Sequence, residues 1–505
     1  MAVTALKDRF ARITVWQAAL TLAIVAYTWY FTSVTLDVHH GLGTSSYDLG
    51  LYDQGVWLMS RFKAPFITLM GRNLMGDHAS FILVLLVPLY WLFPAVGTLL
   101  LVQSLVIALG AVPVFLLARK CLESEAMAFV LAGLYLLHPA VGWTNRENFH
   151  PDCFLALFVG MAVYAAVEHK WRVYGVFVVL SLLVKEDVSL VVVPLGLWVG
   201  MRRDRRIGMA TVVGSLAVML VGMLVVMRGL TGVPTRNAWR IPFAGPWGVV
   251  REVIARPGNV FQYFRSEYRP FYLWQMSFPT AFVFLRRPDI SAISAVVLGT
   301  NVLSTFSYQH DIQYHYSLIA VPALVVGTAY ALAAFGHRTR RRLVGLVATT
   351  TVWSCLMWGA VPLGSILTPG AKNPIGHHLP SYWPPSEPIA VAAREMIAAV
   401  PAGASVSTYH SLTPHLTRRE QIYMFPNPFR VVLYGPDTSL ESLRACLPAA
   451  NDLEYVLLQA EVPETQTADW DKVKGDFEPA ASNDSWVLYH RVRHDVQCVN
   501  GSLNR

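Results

Sequence analysis

Charge is scarce in this sequence. Asp, Glu, Lys and Arg make up 14% of its 505 residues, against about a quarter in an ordinary soluble protein, while 54% are hydrophobic. That scarcity excludes a conventional soluble domain and points to a membrane protein, as does a mean hydropathy of +0.43. The apolar runs are helix-length and do not alternate apolar with polar, which excludes a β-barrel and leaves a helical bundle. Cysteine is sparse too. The five cysteines form no CxxC pair and no zinc spacing. Cys121, Cys153 and Cys355 lie in or beside apolar runs, whereas Cys446 and Cys498 lie in the polar C-terminal part and can bridge only outside the cytosol. No internal repeat, low-complexity tract, HExxH or His-x-His spacing is present. The net charge of +8 comes from short basic tracts between apolar runs, the pattern of membrane-protein loops rather than of a nucleic-acid surface.

Lys and Arg at the ends of the runs define a topology. The first run, 14–34, follows Lys7, Arg9 and Arg12 and has no small-residue cleavage site after it, so it reads as an uncleaved span with a cytoplasmic start. Residues 35–78 then lie outside, and 79–94, short and bounded by prolines, reads as a helix in the outer interface. Further spans are expected at 96–118, 126–143, 152–167, 207–229, 271–285, 290–306, 316–335 and 343–365, with a long outer loop at 230–270. The run 171–201 holds "KED" (Lys185, Glu186, Asp187) in its middle. Each charge at mid-bilayer would cost about 2.5–3.5 kcal/mol, so two short helices with an outer turn are expected instead of one long helix. The total is about eleven spans with every short basic tract inside. Residues 1–370 form this all-α polytopic bundle. Residues 371–505 read as a small extracytoplasmic α/β domain, with strands at "ASVSTY", "EYVLLQA" and "SWVLYHRV" and a helix at "EPIAVAAREMIAAV".

This topology gathers the ionisable residues of five segments at the outer face: Asp48 and Asp53, then Asp77 and His78, then Glu147, His150 and Asp152, then Lys185, Glu186 and Asp187, then His310, Asp311 and His315. Such groups at the ends of apolar helices are costly to desolvate and form a candidate site. Plain structural roles compete with that reading. Ser45 and Asp48 fit a capping box for a helix carrying Leu49, Tyr52, Val56 and Trp57 on one face, Asp77 and His78 can cap the next helix, and His150 and Asp152 flank Pro151 in a turn. On a helix Asp48 and Asp53 are about 140° apart, so they are not expected to address one atom. The imidazoles and carboxylates suit zinc or manganese by type but not by spacing, so no cofactor is expected to be required and a divalent metal stands as the lesser alternative. The other chemistry is acid/base work on a lipid-borne substrate, with a carboxylate base, cations on a phosphate and aromatic rings against sugar faces.

The stretches "YDLGLYDQGVWLMS", "GDHASFILVLLVPLYWLFP", "TLLLVQSLVIALGAVPVFLLARK", "ENFHPD", "LLVKEDVSL" and "YHYSLIAVP" together resemble the bacterial membrane-protein family called domain of unknown function 2079. "SVSTYHSLTPHLTRREQIYMFPNP" is similar to the tail of that family. The family is grouped with the GT-C glycosyltransferases, multispanning enzymes that use polyprenyl-phosphate sugars and carry a catalytic carboxylate in the first extracytoplasmic loop. The resemblance implies a GT-C-like bundle in a bacterial cytoplasmic membrane. Asp48 in "YDLG" is the better match for the base and Asp53 the next, because the adjacent acidic pair of many GT-C first loops is absent.

The expectation is an inverting transfer of a sugar from a polyprenyl-phosphate donor to an extracytoplasmic glycan, lipid or protein, in contact with membrane lipids and with no nucleic acid. Asp48 would act as base, Lys185 and a loop arginine would hold the phosphate, and Asp77, Glu147 and His150 would orient the acceptor or the base. The alternative is a transporter or flippase of a lipid-linked substrate, which should show repeated halves and mid-bilayer polar breaks.

Overall fold

A computed structural model of the chain describes residues 13–360, 382–432 and 445–504. The basic residues before the first span, the end of the last span and the boundary at 370/371 lie outside the described residues. Among the described residues, four helices are long and apolar enough to cross a bilayer: Val15–His40, Val96–Leu122, Arg205–Thr231 and His315–Ala333. A fifth span results if Glu125–Leu137 and Pro139–Arg146, bent by 47°, are counted together. The break falls where Pro139 opens a new helix, with His138 Nδ1 accepting the Ala140 N–H.

"KED" is a turn, as the cost of buried charge requires. Trp171–Leu182 ends before it, a short 3-10 turn covers Glu186–Val188, and Ser189–Arg202 returns. At 1.5 Å per residue these helices are about 18–21 Å long, shorter than a hydrocarbon core of about 30 Å. The expected span 271–285 is broken into Arg269–Ser277 and two short 3-10 turns. Pro279 and the left-handed Ala281 and Phe282 interrupt it despite its apolar composition. Helices Ser189–Arg202 and Arg205–Val221 approach so closely that a Cβ on Gly208 would stand 2.3 Å from Gly200 N.

The short basic tracts meet at one end of the bundle. Arg119 pairs with Glu125 at 3.2 Å, Lys120 with Glu168, and Arg202 with Asp289 at 3.7 Å, while Arg340 donates to the carbonyls of Leu122 and Ala333. Asp204, within "RRDRR", caps the next helix by accepting from the N–H groups of Arg206 and Ile207.

A two-stranded ribbon, β1 (Phe66–Ile67) and β2 (Arg72–Asn73), lies in the first loop. The C-terminal part carries a five-stranded mixed sheet. Its strands are β3 (Val406–Thr408), β4 (Ile422–Met424), β5 (Tyr455–Gln459), β6 (Phe477–Ser482) and β7 (Trp486–Arg491), in the order β4-β3-β5-β7-β6. Pro388–Ala399 is helical, and a disulfide joins Cys446 to Cys498. The sheet is not merely tethered. Leu412, Leu416 and Ile422 belong to the same apolar core as Leu49, Val56 and Leu69 of the first loop.

Candidate active site

The first loop holds its helix Leu49–Ser60 inside the protein, not flat on a membrane surface: Leu49, Tyr52 and Val56 are all buried. The capping box does not form. Asp48 is the N-cap, its carbonyl accepting from Leu51 and Tyr52, and its carboxylate makes no cap. Ser45 Oγ accepts from Tyr47 N–H, and Ser45 N–H donates to Asn148 Oδ1 at 3.0 Å. A distant asparagine thus satisfies the backbone that a local cap would have used. The Asp48 carboxylate is left free to line a cavity of about 490 Å³, a size suited to a small ligand.

Six chain segments supply its wall. His150 Nε2 lies 3.4 Å from Asp48 Oδ1, and His150 Nδ1 is 2.8 Å from the Asn148 carbonyl. Glu147 sits 4.0 Å from His150 and accepts the His315 N–H at 2.7 Å. The imidazoles of His150 and His315 stack at 3.8 Å. Lys185 Nζ pairs with Asp152 at 2.6 Å, and Arg72 pairs with Asp77 at 2.6 Å. His78 Nδ1 meets Glu186 at 2.9 Å, and the same carboxylate accepts Ala79 N–H.

These contacts set the charges. Burial alone would raise Asp48, but the hydrogen bond and charge of His150, with Ser45, hold it below the usual carboxylate value. Burial alone would lower His150, yet the carboxylates of Glu147 and Asp48 push it up to about 9. Burial and the nearby Asp48 push Glu147 up to about 8, against the pull of His150. At neutral pH the cluster therefore holds an ionised Asp48 against a cationic His150, with the Glu147 carboxyl, raised by burial, 3.2 Å from His315 Nδ1. Burial would also raise Glu186, but His78 and backbone N–H groups draw it down to about 2.

The structure sorts the expected site residues. Asp48, Asp77, His78, Glu147, His150, Lys185 and His315 line the cavity, and Asp152 reaches it through Lys185. Asp53 does not. It is fully buried, accepts from Tyr90 OH at 2.5 Å and binds the Thr417 hydroxyl. Glu186 turns to His78, and Asp187 is exposed at the tip. His310 faces Glu267 at 3.4 Å, and Asp311 accepts Gln313 N–H in a turn.

Sequence reasoning missed the aromatic wall. Tyr308 and Tyr314 stack at 4.1 Å, and the Arg240 guanidinium lies 4.4 Å from the centre of the Phe306 ring. Arg240 also donates to Tyr316 OH at 3.4 Å and has no carboxylate partner among the described residues. The signal was present in "NAWR" and "SYQHDIQYHY", where arginine and tyrosine recur beside the histidines.

Glu147, His150 and His315 bring ligand-type atoms within 4.8 Å of one another. Two imidazoles on one ion at about 2.1 Å would radiate with their ring centres about 5 Å apart. The observed stack is tighter.

The polar cavity thus lies at one end of the helices of a multispanning fold. The chain belongs to the family described as "Predicted membrane protein (DUF2079)", which matches residues 38–489. Among solved structures, ArnT from Cupriavidus metallidurans shares the fold. In its undecaprenyl-phosphate-bound form it superposes with a TM-score of 0.53 at 16% identity, over 93% of this chain and 97% of that one. In its apo state the TM-score is 0.55 at 16% identity, over 94% and 98%. No curated protein matches the sequence.

Proposed function

We propose that the chain is a GT-C-type glycosyltransferase that moves a sugar from a polyprenyl phosphate to an acceptor hydroxyl. The observation that carries the reading is the pairing of Asp48 with His150 at the wall of a cavity that also holds Lys185 and Arg240. The binding of undecaprenyl phosphate by ArnT, a protein of the same fold, supports the lipid donor. Asp48, ionised at neutral pH, takes the acceptor proton as the hydroxyl attacks the anomeric carbon, and a single displacement inverts that centre. Arg240 replaces Lys185 as the main phosphate contact, because the Lys185 charge is already met by Asp152. The tyrosine stack offers a flat face to a sugar ring. No metal is required, since His150 serves as a cation.

The reading includes about eleven spans, some of them short, and a tail from about residue 371 that packs against the first loop. The N-terminus is cytoplasmic and the cavity extracytoplasmic. The Cys446–Cys498 bridge favours that orientation. Purified wild type and Asp48→Asn, offered labelled polyprenyl-phosphate sugars, test the proposal. Wild type is expected to release polyprenyl phosphate at least about a hundredfold faster. Equal release would remove Asp48 as the base, and no release with any donor would remove the transferase reading.

A further inference from the structure

Two arginines, Arg61 and Arg418, have no carboxylate partner among the described residues where the first loop meets the membrane. Arg61 follows the Leu49–Ser60 helix as its C-cap, and its guanidinium has no hydrogen bond or ion pair among the described residues. Arg418 donates Nη1 to the Pro94 carbonyl at 2.7 Å. The nearby carboxylates are occupied, Asp53 by Tyr90 and Thr417, and Glu420 by Lys63. Between the two arginines opens a cavity of about 300 Å³, lined also by Trp57 and His415. His415 Nε2 is buried without a hydrogen-bond partner. Neither arginine lines the larger cavity with Asp48.

The level of this pocket is fixed by its floor. Pro94 lies two residues before the Val96–Leu122 span, at the end of a bilayer-crossing helix. Around it runs an apolar rim. Phe62 is 88% exposed, Leu92 71% and Phe93 66%, and Trp91 lies 6.0 Å from Phe62 with its indole N–H held by the Ser60 carbonyl. Exposed rings beside a basic recess at a helix end are what an acyl chain and its phosphate would meet together. A soluble anion would use the arginines and leave the rim unused.

We propose that this pocket binds the phosphate of an anionic phospholipid from the adjacent leaflet, through Arg61 and Arg418, with the acyl chains along Phe62, Trp91 and Leu92. The site pins the first loop and the C-terminal segment to the same lipid, because Arg61 belongs to one and Arg418 to the other. It is independent of the transferase reading.

The test uses the full chain in phosphatidylcholine nanodiscs, with dansyl-labelled phosphatidylglycerol or phosphatidylcholine as acceptor of tryptophan fluorescence. Wild type is expected to prefer phosphatidylglycerol by about tenfold or more. Arg61→Glu, which breaks no contact of the folded chain, is expected to lose at least about threefold of that preference. Arg61→Glu/Arg418→Glu should abolish it, and Arg61→Lys/Arg418→Lys should keep most of it. An unchanged preference in Arg61→Glu, or a Lys/Lys variant as poor as the Glu/Glu variant, would overturn the proposal. So would displacement of the labelled lipid by millimolar inorganic phosphate, which would mark the pocket as a site for a soluble anion.

Discussion

His150 Nε2 faces Asp48 Oδ1 at 3.4 Å across the wall of the larger cavity, while its other ring nitrogen is held by the Asn148 carbonyl. The imidazolium keeps Asp48 ionised and fixes its direction. If transfer depends on that pair, its rate should hold across neutral pH and fall as pH rises through about 9, where His150 loses its proton. His150→Gln should remove the alkaline fall and bring the acid limb upward, since Asp48 loses the group that depresses it. A pH–rate profile of polyprenyl-phosphate release reads both limbs.

The same group shapes stability. The folded value of His150 lies above its ordinary 6.5. Its contribution is therefore fully present below pH about 6.5 and is lost as pH rises through about 9. Thermal unfolding in detergent should show a lower midpoint at pH 9.5 than at pH 6, and the difference should shrink in His150→Gln.

On the proposed mechanism Asp53 supports the loop instead of reacting. Asp53→Ala leaves the buried hydroxyls of Tyr90 and Thr417 without their acceptor, at about 1–3 kcal/mol each. The expected result is a lowered unfolding midpoint, with most of the turnover of the folded fraction retained. A hundredfold loss of turnover at unchanged stability would return Asp53 to the chemistry.

Arg240 and Lys185 should separate. Arg240→Ala removes a cation held only by rings and a phenol, so donor KM should rise about tenfold with stability nearly unchanged. Lys185→Ala strands Asp152 in a buried position and should cost about 3–5 kcal/mol of stability. Initial-rate kinetics and thermal melts of the two variants give the comparison.

Chelation should leave the rate unchanged within about twofold, because the stacked His150 and His315 rings do not splay as two ligands of one ion would. A loss of activity in EDTA that zinc or manganese restores would reverse this assignment.

The bundle and the KED turn were legible because hydropathy and the cost of mid-bilayer charge act locally. The strands at 406–408, 455–459 and 486–491 followed from β-branched and aromatic runs. What stayed hidden depended on distant partners. Asp53 stood second to Asp48 as a candidate base until Tyr90, 37 positions away, and Thr417, 364 positions away, were seen to hold it. Ser45 looked like a cap until Asn148 took its backbone N–H. Residues 271–285 looked like a span by composition, but Pro279 and two left-handed residues override composition.

The hydrogen bonds from Ser46 to the His410 carbonyl, from Thr417 to Asp53, from Gln54 to the Arg419 and Glu420 carbonyls, and from Thr68 to the Ile422 carbonyl all join the first loop to the tail. This has a consequence for the order of synthesis. A ribosome that has delivered every membrane helix has not yet delivered the segment to which the first loop is bonded. A chain stopped at residue 405 is expected to insert in the membrane and, on the transferase reading, to release no polyprenyl phosphate, because the partners of the first loop at residues 410–422 are missing.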